Sequence, residues 1–114
     1  MKQKLIELLE SLGYEAFLQG SFTSEADYPE SFFTFWNVDT ENYYISNEKA
    51  ATFWYFTINF YSKDPNLVET ITSKTAELLR ENKWKVDGEG KDIPTDTPNY
   101  SARELQTIYT QKRI

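Results

Sequence analysis

Cysteine and histidine are both absent from this chain. Without cysteine there is no disulfide framework and no thiolate zinc site. Without histidine the commonest general base, the commonest metal ligand and every Ser-His or Cys-His pairing disappear together. No serine sits in a G-x-S-x-G turn. No apolar run approaches bilayer length, and the first residues hold no apolar signal core, so neither a membrane nor an exported state is expected. Basic residues are in the minority. Twelve Lys and Arg face eighteen Asp and Glu, a formal charge of −6. A surface of that sign has no electrostatic footprint for gripping phosphate backbones. These absences point away from catalysis, cofactors, metals and stable nucleic-acid binding.

What is abundant is aromatic side chains, 17% of the residues. They concentrate in AATFWYFTINFYS, residues 50–62. An extended chain turns alternate residues to opposite faces. One face then carries Trp54, Phe56, Ile58 and Phe60 and is wholly apolar, so it belongs in the core. The other carries Phe53, Tyr55, Thr57, Asn59 and Tyr61, mostly polar at the tip, which suits a half-wet face or a partner surface. This is the expected long central strand. The 114 residues suit one domain spanning 1–114, which buries roughly two-thirds of its unfolded surface.

The other elements arrange themselves around it. Leu5, Leu8, Leu9 and Leu12 share one helical face, so residues 2–12 read as a helix closed by Gly13. A short strand is expected over 14–18, and a polar loop over 21–31 around Pro29. FFTFWNV, residues 32–38, is the second strong strand. Both Phe33/Phe35 and Phe32/Trp36/Val38 make plausible inward sets. Residues 39–42 read as a turn, 43–45 as a further short strand and 47–49 as the next turn, so residues 32–62 form a three-stranded meander. Asp64 is a good N-cap and Pro65 a good first residue for a helix running to about Asn82, with Val68, Ile71, Thr75, Leu78 and Leu79 inward and Leu67 beside them. Trp84 and Val86 alternate with Lys85 and Asp87 as a strand. DGEGKDIPTDTPNYS, residues 87–101, is a long loop, a common home of function. Leu105, Thr107 and Tyr109 alternate with Glu104, Gln106, Ile108 and Thr110 in a last strand over 103–112. The sum is an α+β two-layer sandwich. A mostly antiparallel, mixed sheet carries both helices on one face.

Carboxylate groups are the remaining candidates for chemistry: Glu25/Asp27/Glu30, Glu89/Asp92/Asp96 and Asp39/Glu41. All fall in expected loops, and no spacing separates them from solvated charge. Residues 87–92 lack the ligand order of a calcium loop, and Gly88 and Gly90 lack the third glycine and following helix of a phosphate-binding turn.

With the order laid out, the chain resembles the tail-completion proteins of long-tailed bacteriophages, the head–tail joining and tail-terminator group. The likeness covers residues 5–109. It rests on FFTFWNVDTENYYISNEKAATFWYFTINFYSKDPNLVETI, a meander followed at once by a helix; on YSKD, where that helix opens; and on DIPTDTPNYSAREL ahead of a closing strand. It is a likeness of pattern and order, without an invariant motif, so no residue role is carried over.

The resemblance implies a non-enzymatic structural protein of a phage or prophage particle, assembled in the host cytoplasm and ending in the virion. Members form rings, often hexameric, that cap the tail tube and dock to the head connector. Partners would be further copies of the chain, the tail-tube protein and the connector, and DNA would pass an acidic lumen without sticking. Ring contacts are expected at Tyr43, Tyr44 and Tyr55, and at Asp92, Asp96 and Tyr100 in the long loop, because interfaces favour aromatic anchors. The alternative from the residues alone is a small acidic module or inhibitor that sequesters a basic protein.

Overall fold

The two strongest strands are longer than the sequence pattern implies. β2 (Ser31–Ile45) and β3 (Glu48–Ser62) are 15 residues each and pair antiparallel along their whole length. The computed structural model that shows this describes residues 1–19, 28–95 and 99–113. Ser46 and Asn47 make the turn between the strands, with φ of 51° and 68°. Two positive φ values give a primed turn, whose twist matches that of the flanking strands.

The expected turn at 39–42 and separate strand at 43–45 are therefore corrected: both belong to β2. Register shifts between Asn37 and Asp39 and between Tyr43 and Tyr44 absorb the irregularity. The polar residues that look like turn formers stitch the first shift instead. Asn37 Nδ2 donates to the carbonyls of Asp39 (2.9 Å) and Tyr55 (3.0 Å), and the Thr40 amide donates to Asp39 Oδ1 (2.8 Å).

The sheet runs β1-β2-β3-β6-β4, and β5 also pairs with β6. β1 (Ala16–Leu18) lies parallel to β2, and every other pairing is antiparallel. β6 (Ser101–Lys112) pairs with β3 over twelve residues, while β4 (Trp84–Val86) and β5 (Lys91–Ile93) each hold three residues of its far edge. The long loop thus contains a strand. Arg103 fastens it, donating to Asp92 Oδ1 (2.9 Å) and to the Gly90 carbonyl (2.9 Å).

Both helices cover one face. α1 (Lys2–Glu10) buries Leu5 and Leu9, with Leu8 and Leu12 partly buried beside them. α2 (Pro65–Glu81) starts where its sequence says, with Asp64 accepting a hydrogen bond from the Asn66 amide at 3.0 Å. It buries Val68, Ile71, Thr72, Thr75, Ala76 and Leu79. The helices pack on Phe33, Phe35, Phe56, Ile58, Phe60 and Leu105. The pairs Phe33–Phe60 and Phe35–Ile58 settle the phase of β2 in favour of Phe33 and Phe35.

Phe32 is buried as well, but on the opposite face. It stacks on Tyr61 (5.1 Å) and meets the rings of Tyr28 (5.3 Å) and Tyr100 (5.9 Å). Trp54 is another correction. It shares the core face but is only partly buried, at the rim of the core. Its ring lies 6.5 Å from Phe56, and Nε1 donates to Gln111 Oε1 at 3.0 Å. Thr57 and Asn59, expected on a half-wet face, are buried because β2 and β6 crowd them from both sides; Thr57 donates to Gln106 Oε1 at 2.9 Å. The polar loop expected over 21–31 lies largely outside the described residues.

Candidate functional site: the hairpin arm and the open sheet face

The ends of β2 and β3 outrun the helices. Residues 38–49 are all exposed, and the molecule measures 53 × 28 × 23 Å. The result is a projecting arm, three-stranded with β6 as far as the Ala51–Lys112 pair and two-stranded only over residues 44–50 beyond it. Such an arm needs internal support, since an isolated hairpin is marginal in water. Part comes from polar cross-strand bonds: Thr52 Oγ1 donates to Asn42 Oδ1 at 2.9 Å. Part comes from the end of the chain, where Arg113 donates its amide to the Ala50 carbonyl (2.9 Å) and Nε to Thr52 Oγ1 (3.0 Å). The arm presents Val38, Tyr43, Tyr44 and Ile45, each at least half exposed. Four large apolar side chains are thus exposed along one projecting element, where exposed apolar surface is the feature that marks interaction sites.

On the face away from the helices, the base of the arm opens into a cleft of about 540 Å³, walled by Val38, Tyr55 and Ile108 and edged by Asp39, Lys85 and Asp87. Glu41 adds a third carboxylate. It accepts a hydrogen bond from the Tyr55 hydroxyl, which, with desolvation and the negative charges of Glu41 and Asp39, pushes that hydroxyl above its ordinary range. Burial pushes the Tyr61 hydroxyl up too, against the opposing influence of Thr34 and Asn59. Among the described residues no cluster of three or more metal-ligating side chains gathers, and no helix is long and apolar enough to cross a membrane.

The residues expected at an interface fall into separate places. Tyr43 and Tyr44 sit near the arm tip, exposed. Tyr55 lies at the arm base, beside the cleft. Asp92 and Tyr100 belong to the opposite end of the molecule, near the start of α2, and both are engaged within the fold. Asp92 pairs with Arg103 at 2.9 Å. Tyr100 donates to the Pro29 carbonyl at 2.6 Å and receives Lys63 over its ring. Asp96 lies outside the described residues, as do Glu25 and Asp27. Glu89 pairs with Arg80 at 3.1 Å, so Glu89 and Asp92 are each tied to a cation rather than to each other.

Sequence reasoning missed Val38, Ile45 and Lys85. The first two read as ordinary strand apolars and the third as a polar alternate. Only the length of the arm and the position of β4 at the sheet edge expose them. No family model matches the chain, and no curated protein matches it.

Proposed function

We propose that this protein is a structural assembly subunit of a phage or prophage particle, of the tail-completion type. It caps the tail tube as a ring and meets the head connector, without catalysis. The observation that carries the reading is the arm, whose exposed Val38, Tyr43, Tyr44 and Ile45 need a protein surface to cover them. The order of elements that resembles the tail-terminator group supports the narrower identity. The charge of −6 is compatible with DNA passing by without being held.

Sedimentation of the purified protein with tail-tube protein from the same virus tests the reading. Wild type should pellet with assembled tubes. A Tyr43→Ser/Tyr44→Ser variant with an unchanged circular dichroism spectrum should stay in the supernatant. Wild-type protein that associates with neither tube nor connector overturns the reading, and the acidic binding module takes its place.

A further inference from the structure

The cleft at the base of the arm is apolar on its floor and charged only at its rims. Val38, Tyr55 and Ile108 wall about 540 Å³, a volume in the range that holds a ligand or a few side chains. The register Asp39–Tyr55–Ile108–Lys85 runs straight across four strands, so these side chains share the face away from the helices. Strand alternation sets Glu41 on that face beside Asp39. Asp87 stands beside Lys85 in the same way, because its amide still bonds the Gln106 carbonyl, at 3.1 Å, and extends the β4 ladder by one residue.

The two rims differ. On the β4 side, Lys85 and Asp87 lie two residues apart and their opposite charges offset each other. On the β2 side, Asp39 and Glu41 stand roughly 7 Å apart along the strand, and both are negative. Neither has an ion-pair partner among the described residues, whose ion pairs are Arg80–Glu89, Lys91–Glu104 and Arg103–Asp92. Both carboxylates act on one group. The Tyr55 hydroxyl donates to Glu41 and lies within the field of Asp39 as well. Asp39 Oδ1 accepts from the Thr40 amide at 2.8 Å. Each carboxylate keeps lone pairs for a further donor. An apolar floor beside two uncompensated carboxylates suits an occupant with an apolar body and a cationic group.

We infer that the cleft receives an arginine of a partner protein together with a neighbouring aliphatic side chain, the guanidinium lying between Asp39 and Glu41 and the aliphatic group resting on Val38, Tyr55 and Ile108. Arginine suits the place better than lysine. Its planar fork bonds two carboxylates at once, its face stacks on a tyrosine ring, and its methylenes cover apolar wall. Exposed ion pairs add little affinity, so the apolar contact holds the partner while the carboxylates select its sign. The cleft opens beside the exposed Val38 and the arm, so a single partner surface covers both. The partner is that of the assembly reading above, on which this rests, now given its chemistry.

Nuclear magnetic resonance titration tests the cleft with the peptide acetyl-Leu-Ser-Arg-Ser-Leu-amide, whose extended form turns the arginine and both leucines to one side. In isotope-labelled protein, the amides of Tyr55, Lys85 and Ile108 should shift saturably. Exchanging the peptide's arginine for glutamate should weaken binding about fivefold or more, and exchanging its leucines for glycine about tenfold or more. Asp39→Asn/Glu41→Gln protein keeps the side-chain shapes and an acceptor for Tyr55. It should bind the arginine peptide about fivefold more weakly and lose the preference over glutamate. Glu77→Gln/Glu81→Gln, the same change of charge on the exposed side of α2, should leave binding unaltered.

Equal binding of the arginine and glutamate peptides overturns the assignment. So do equal binding of the glycine-flanked peptide, shifts centred away from the cleft, and the absence of a saturable shift at millimolar peptide. Cleft amides that already move on dilution of the free protein put a second copy there instead, and overturn it too. Sedimentation with tail tubes separates this from the assembly reading. Asp39→Asn/Glu41→Gln protein should pellet at least about fivefold less than wild type. A variant that pellets like wild type, while Tyr43→Ser/Tyr44→Ser protein stays in the supernatant, overturns the cleft contact and leaves the assembly reading standing. Wild type that never pellets counts against the assembly reading, and the peptide titration then decides the cleft by itself.

Discussion

At the scale of single residues, burial separates neighbours that the sequence makes look alike. Phe56 is fully buried between sheet and helices, whereas Trp54, two residues away on the same face, lies at the rim of the core. Phe56→Ala should cost about 3–5 kcal/mol through lost burial and a residual cavity. Trp54→Ala should cost clearly less, and Tyr55→Ala, on the open face, less again; urea midpoints order the three. Tyr61 adds a pH dependence. Burial raises its hydroxyl above the ordinary value of 10.0, so the folded state holds the proton longer than the unfolded chain does. Its contribution is complete below pH about 10 and disappears as the pH climbs through the folded-state value. Tyr61→Phe should flatten that alkaline decline, which thermal melts across pH 8–11.5 would read, while leaving the neutral and acid range unchanged.

Elements show how local chemistry and tertiary pairing divide the work. The start of α2 is decided locally: Asp64→Ala removes the bond to the Asn66 amide and should cost about 1 kcal/mol. The arm turn is local as well, but less well optimised. Ser46 sits at φ 51°, a region that asparagine tolerates better. Ser46→Asn should stabilise the monomer by about 0.5–1 kcal/mol, with a matching rise in melting temperature. β5 depends on a tertiary fit. Gly90 has φ 90°, and a Cβ there would lie 2.8 Å from the Glu104 carbonyl. That backbone atom cannot step aside without moving β6, so Gly90→Ala should loosen residues 88–93, visible as faster amide exchange there before any global unfolding.

For the whole molecule, shape and charge set the expectations. An arm with residues 38–49 exposed contributes little to the stability of the free subunit. Tyr43→Ser/Tyr44→Ser should therefore shift monomer stability by no more than about 0.5 kcal/mol per site while abolishing assembly. Equal losses of folding and assembly would make the two tyrosines part of the core rather than of a contact. The protein should also show no tight binding to double-stranded DNA at physiological salt in a filter assay, because a chain at −6 has little counterion release to gain.

Much of the architecture is written in local pattern. The leucine spacing of α1, the Asp64-Pro65 start of α2 and the alternation of Phe56, Ile58 and Phe60 each state an element and its inward face, because helix and strand periods act on neighbours a few residues apart. Four things lay beyond that reach. Residues 39–42 look like a turn until β3 supplies their backbone partners. Thr57 and Asn59 look half-wet until β2 and β6 close over them. Asp92 and Tyr100 look like a free loop until Arg103 and Pro29 engage them, and Lys85 looks like any polar alternate until the strand order makes β4 an edge. Each depends on residues ten or more positions distant. Composition and periodicity determined the elements and the sign of the surface, whereas which side chains meet across the open sheet face, and so where a partner can dock, was decided only when the strands chose their neighbours.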